Sequence, residues 1–226
     1  MLRSAPSNGI RFRNRRDAGK RLAQKLAHYA NRSDVIVLAL PRGGVPVAYE
    51  VARQLNLVPD VFTVRKLGVP GHEEFAMGAI GSGGAYYLNT AILESLHIPR
   101  AEVRNIIAAE QRELERREHL YRGSRPQPAI AGKVALLVDD GLATGASMYV
   151  AVAALRRRSP AAIVVAVAVA PADTIESLRA EVDEVVCCST PDPFVAVGVW
   201  YEDFSQTTDQ EVRELLTRVA ERTFPD

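Results

Sequence analysis

Apolar residues along this chain follow two periodicities that alternate from end to end. Ala18, Leu22, Leu26 and Tyr29 recur at helical spacing and predict a helix over Asp17 to Ala30. The next segment, DVIVLAL from Asp34 to Leu40, is a short continuous apolar run of the kind a buried strand presents. The alternation continues with a helix from Val45 to Leu55, a strand from Asp60 to Arg65 and a glycine-rich stretch from Lys66 to Ala85. Helices over Thr90 to Leu96 and Arg100 to Tyr121 close the first half. Gly123, Pro126 and Pro128 cannot continue a helix, so Arg122 to Ala131 is a linker. Strands from Val134 to Val138 and Ile163 to Val169 flank a helix from Ala146 to Arg157. A short helix, Asp173 to Arg179, leads to a last strand, Glu184 to Cys188.

Five central strands that are apolar throughout imply helices on both faces. The fold class is therefore α/β, an open and mostly parallel five-stranded sheet flanked by helices, with ligands expected at the carboxyl ends of its strands. At 226 residues the chain is expected to form a single domain. Its core runs from about 12 to 190, followed by a segment over 190–206 and a C-terminal helix to about 222.

Composition narrows the function. Twenty-eight Lys and Arg stand against 27 Asp and Glu, so nothing global draws the chain to nucleic acid or an anionic membrane. The apolar stretch from Ala161 to Ala170 is about half of what a bilayer needs. With no secretory signal pattern near the start, the expected location is cytoplasmic. The two cysteines, Cys187 and Cys188, are adjacent at the end of an apolar run and read as reduced packing residues. On the helix from Arg100, mixed charges that include Glu110 near Arg112 and Glu113 with Arg117 describe a solvated, ion-paired face.

The chemistry concentrates in VALLVDDGLATGAS, Val134 to Ser147. A buried strand delivers Asp139 and Asp140 to its carboxyl edge, and a small-residue turn then exposes backbone N–H groups before the next helix. Two adjacent carboxylates repel and are costly to desolvate without a cation or a donor-rich ligand. No lysine follows Gly145, as a Walker A loop requires, and no G-x-G-x-x-G is present. The arrangement suits a phosphate held beside a ligand rich in hydroxyls.

The stretch resembles the ribose-phosphate loop of type I phosphoribosyltransferases, which use 5-phosphoribosyl 1-pyrophosphate (PRPP) as donor. The resemblance runs from about Phe12 to Phe204 and is nearest to a less characterised bacterial branch. It implies a small hood, a flexible loop and a homodimer. It also implies that Asp139 and Asp140 face the ribose hydroxyls, directly or through Mg²⁺, while Ala143, Thr144, Gly145, Ala146 and Ser147 wrap the 5′-phosphate. Arg42, Gly43 and Gly44, after Pro41, would hold the pyrophosphate in a turn that in this family often contains a cis peptide.

Arg65 and Lys66 would flank the flexible loop and stabilise the leaving pyrophosphate. Its Glu73 or Glu74 could serve as base, with Glu74 chosen here, and His72 carries little weight. In the hood, Thr190 to Phe204, the aromatics Phe194, Trp200, Tyr201 and Phe204 surround Asp203. Of these, Phe194, Trp200 and Asp203 would bind the acceptor.

One position departs from the family. Hypoxanthine-guanine members carry an aspartate where this chain has Ala143, so the base must lie elsewhere or be unnecessary. The expected activity is Mg²⁺-dependent phosphoribosyl transfer to a nitrogen nucleophile. The alternatives are a PRPP- or nucleotide-binding regulator without turnover and, more weakly, a phosphatase. Small-molecule substrates are the expected partners.

Overall fold

The computed structural model describes residues 9–223, with the side chains of 73, 74 and 219–223 left out of the description. Five strands form the main sheet: β1 (Val35–Ala39), β2 (Pro59–Val61), β6 (Val134–Asp139), β7 (Ala162–Val169) and β8 (Glu184–Ser189). They are wholly parallel, in the order β2-β1-β6-β7-β8. Successive side chains of a strand point to opposite faces, so each run feeds two cores at once. Val35, Val37 and Ala39 pack with α1 (Arg15–Lys25), α2 (Gly44–Leu55) and α7 (Asp209–Thr223). Ile36 and Leu38 pack on the other face with α5 (Ala146–Arg156) and α6 (Ala172–Arg179).

Local chemistry sets the element ends. Asn14 caps α1 by accepting the Asp17 N–H at 3.0 Å. At Gly19, a Cβ would lie 2.5 Å from the Val47 carbonyl oxygen, so only glycine lets α1 lie this close to α2.

The expectation of one strand from Asp60 to Arg65 is corrected. The chain leaves the parallel sheet after β2 and starts a second sheet at β3 (Val64–Val69), which pairs antiparallel with β4 (His72–Gly81), itself paired to β5 (Tyr86–Leu88). The expected flexible loop over Lys66 to Ala85 is thus mostly a hairpin, turning at Gly71 with φ +74°. Leu67, Val69, Met77 and Ile80 bury against Val103 and Leu114 of α4 (Arg100–Arg122), and partly buried side chains of α3 (Thr90–Ser95) complete this third core. On α4, Arg117 pairs with Glu113 at 2.8 Å as expected, but Glu110 pairs across to Arg65 at 2.5 Å and not within its own helix.

Burial raises the Cys187 thiol to about 11 and that of Cys188 to about 12, so both stay protonated packing groups. Among the described residues no helix is long and apolar enough to cross a membrane.

One charged cluster lies inside the fold. Arg122, 5% exposed, sets its Nε 3.2 Å from both Asp60 oxygens, donates to the Val61 carbonyl at 3.1 Å and lies 3.6 Å from Glu118. Burial raises the Asp60 pKa, and Arg122 opposes that rise. Replacing Arg122 with Met leaves Asp60 and Glu118 buried without their cation, and a loss of about 3 kcal/mol is expected in urea titrations at neutral pH. Asp60 in the variant would take up its proton at a higher pH folded than unfolded. Acidification from its raised folded pKa toward the ordinary carboxylate range therefore favours the folded state, and the gap to the parent should narrow.

Candidate active site

The chain leaves β1 toward one face of the sheet, through α2, and leaves β6 toward the other, through α5. These two strands are neighbours, so a crevice opens between their carboxyl ends. A cavity of about 400 Å³ lies there, lined by Arg42, Thr63, Asp139 and Ser147, by Arg116, Arg117 and Tyr121 of α4, and by Asp209 of α7.

The turn after β1 presses directly on the end of β6. The Leu40 N–H donates to the Val138 carbonyl at 2.9 Å, and the Pro41–Arg42 peptide is cis. A Cβ on Gly43 would overlap the Asp140 carboxylate, and one on Gly44 would lie 2.6 Å from the Val138 oxygen and 3.0 Å from the Asp139 Cα. Gly43 has φ −59°, so what glycine supplies here is space.

The two aspartates have different surroundings. Asp139 lines the cavity, half-buried, and its Oδ1 accepts the Asp140 N–H at 2.8 Å. Asp140 turns away, and its Oδ2 accepts Arg15 Nε at 2.7 Å. Arg15 is fixed in turn by donating to the Ser205 carbonyl at 2.6 Å and by stacking 4.0 Å over the Phe204 ring. The Tyr201 hydroxyl donates to the Asp140 carbonyl oxygen at 2.5 Å. Burial, with the neighbouring Asp140 charge, raises the Asp139 pKa well above the carboxylate range; burial raises Asp140 as well, against the pull of Arg15.

The loop after β6 is anchored and open. The Leu142 N–H bonds the Val169 carbonyl at 2.9 Å, and Thr174 Oγ1 donates to the Ala143 carbonyl at 3.2 Å. Gly145, at φ +72°, opens α5 with no side-chain cap. Ala143, Thr144, Ala146 and Ser147 are exposed, and the Ala146 N–H reaches Thr144 Oγ1 only at 3.4 Å. Uncapped amides at a helix start suit an anion.

Arg42 reaches the cavity and stands 3.8 Å from Asp209, which also accepts the Tyr121 hydroxyl at 2.7 Å. Arg65 and Lys66 line a second cavity of about 620 Å³ between β3 and α4, which shares only Val64 with the first. The Glu73 and Glu74 side chains lie outside the described residues.

The hood expectation is corrected at Trp200. It is fully buried, with Phe12, Tyr201 and Leu216 in the same core, and its ring leaves no room for a Cβ at Gly9. It therefore offers no face to a ligand. Phe194 is half-buried against that core. Asp203 accepts the Ser205 N–H at 2.9 Å, which holds its pKa below the usual range, and it lines a separate recess of about 140 Å³ beside Arg15 and Arg16.

Sequence reasoning misses Thr63, Arg116, Arg117, Tyr121 and Asp209 in the cavity, and Arg15 behind Asp140. Charge alternation on α4 is visible in the sequence, but only the tertiary fold aims its carboxyl half at the strand ends.

Of the aspartate doublet, Asp139 is open to the cavity, while Asp140 is taken by Arg15. Among the described residues no group of three or more His, Cys, Asp or Glu is arranged to hold an ion. A single carboxylate at the cavity, its charged form disfavoured without a cation, is a donor set compatible with Mg²⁺, which can take one carboxylate and fill its shell with water and substrate oxygens.

A doubly wound sheet with an uncapped helix start and an acidic doublet at its switch point defines an α/β protein with a crevice at its strand ends, where ligands of such sheets bind. The chain belongs to the phosphoribosyl transferase domain family, whose profile matches residues 12–203. It is 43% identical over 215 residues to Rv0571c and MT0597 of two Mycobacterium tuberculosis strains, proteins provisionally named phosphoribosyl transferases. The match covers 95% of this chain and 48% of theirs, so the chain spans about half the length of these relatives. The crystal structure of TT1426 from Thermus thermophilus superposes with a TM-score of 0.83 at 44% identity, over 92% of this chain and 99% of that one.

The two hood residues should separate in mutational stability. Trp200→Ala is expected to cost about 3–5 kcal/mol in urea denaturation. Asp203→Ala, at an exposed site, should change it by no more than about 0.5 kcal/mol.

Proposed function

We propose that this domain transfers the 5-phosphoribosyl group of PRPP to a nitrogen nucleophile. The C1′–N bond forms with inversion as the C1′–O bond to the diphosphate breaks, and pyrophosphate leaves. The observation that carries this reading is the cavity in which Asp139 and the start of α5 at Ser147 face Arg42, Arg116 and Arg117. A phosphorylated sugar with a diphosphate at its far end matches that sequence of charges.

In this scheme the amides from Thr144 to Ser147, at the uncapped start of α5, hold the 5′-phosphate. Asp139 accepts from the ribose hydroxyls and favours the positive charge that develops on the ring. Arg42 steadies the departing diphosphate. Mg²⁺, held by Asp139 with substrate oxygens, would supply further neutralisation of that diphosphate. Asp140, paired with Arg15, orients the loop from behind. With Ala143 in place of a carboxylate, the acceptor favoured is one whose attacking nitrogen already carries a lone pair.

Pyrophosphate release from PRPP with Mg²⁺ and a panel of nitrogenous acceptors tests the reading, and release with one of them is expected. Asp139→Asn should lower that turnover by about a hundredfold or more. Undiminished turnover would remove Asp139 from the reaction. Tight PRPP binding with no release for any acceptor would assign a regulatory protein in place of an enzyme, a reading that Ala143 favours.

A further inference from the structure

The cations facing Asp139 across the cavity are not those of β3. Arg65 is paired with Glu110, and it lines the neighbouring cavity with Lys66. Instead α4 presents Arg116 and Arg117. Both are held by one carboxylate: Arg116 donates to both Glu113 oxygens, at 2.8 and 3.1 Å, and Arg117 Nε donates to Oε1 at 2.8 Å. These two guanidiniums hold the Glu113 pKa down to about 2, so it is an anion throughout the neutral range. An acidic group bridging two guanidiniums presents oxygens much as a phosphoryl group would.

A second and independent observation points to the same place. Thr63 lines this cavity, is 3% exposed, and its Oγ1 is buried with no hydrogen-bond partner. Buried polar atoms are nearly always satisfied, and an orphan beside a cationic cavity marks where a ligand oxygen fits.

We propose that Arg116, Arg117 and Thr63 form a diphosphate-binding subsite, with Glu113 occupying the two guanidiniums until the ligand displaces it. The assignment rests on the phosphoribosyl-transfer reading, but it concerns binding by α4 and needs no turnover to be tested. It adds α4 and Thr63 to Arg42 in diphosphate recognition, and it makes Glu113 a competitor whose removal improves binding.

Calorimetry with inorganic pyrophosphate and MgCl₂ tests this on the full chain, with ribose 5-phosphate as the ligand lacking a diphosphate. Arg116→Gln with Arg117→Gln should weaken pyrophosphate binding by about ten- to a hundredfold per guanidinium and leave ribose 5-phosphate unchanged. Glu113→Gln should tighten pyrophosphate binding more than ribose 5-phosphate binding, whereas mere loss of a nearby negative charge would favour both anions alike. Thr63→Val should raise the melting temperature of the free protein and still weaken pyrophosphate. Unchanged pyrophosphate affinity in the double variant, equal losses for both ligands, or no pyrophosphate binding by the folded parent would overturn the proposal. Binding through these residues without PRPP turnover would uphold the subsite and overturn the transfer reaction.

Discussion

The site depends on one steric constraint, the contact between the turn after β1 and the last residues of β6. Adjacent parallel strands whose chains depart to opposite faces leave a crevice at their ends, but a crevice alone does not bring two loops into register. Gly43 and Gly44 do so, because side chains there would enter the space of the Asp140 carboxylate and the Val138 carbonyl. The Leu40 to Val138 hydrogen bond then fixes the turn at the level of the aspartates. Arg42 and Asp139, which carry opposite charges, consequently line one cavity, although about a hundred residues of chain separate them.

That constraint explains the division between the aspartates. Two adjacent carboxylates near the interior cannot both stay charged unless something compensates them. Arg15 compensates one, from the first helix of the chain, and its own placement is fixed by Phe204 and the Ser205 carbonyl. The other keeps an open side toward the cavity. The protein thus binds one member of the pair to its own scaffold, with Tyr201 bracing the backbone behind it.

Much of this is legible in the sequence wherever a single local rule decides the outcome. β1, β6 and β7 are recognisable because strands buried on both faces have no polar alternation to hide them, and the Asp139–Ser147 loop because small residues between a strand and a helix have few other uses. The β3–β4 hairpin is hidden by its glycines, which read as loop punctuation but sit in paired strands where neighbours come close. At Gly78 a Cβ would overlap the Tyr87 carbonyl, and at Gly81 it would lie 2.6 Å from Ala154 Cβ. Trp200 misleads for a related reason: an aromatic cluster beyond the last strand looks the same from sequence whether it covers a ligand or closes a core. Arg116 and Arg117 read as solvated, and they are partly so, yet no local pattern says which stretch of a long charged helix will cross the mouth of a site.

The placement of those arginines follows from how α4 is anchored. Its earlier part enters the core of the second sheet through Val103 and Leu114. Its last turn joins the main core through Tyr121, and Arg122 ties it to Asp60 of β2. Arg116 and Arg117 lie on the turns between these anchors, so both sheets determine where their guanidiniums stand. The same helix lines the second cavity through Ile106 and Glu110, across from Arg65 and Lys66. α4 thus borders both cavities, meeting Arg65 of β3 through Glu110 and the cavity that holds Asp139 through Arg116 and Arg117.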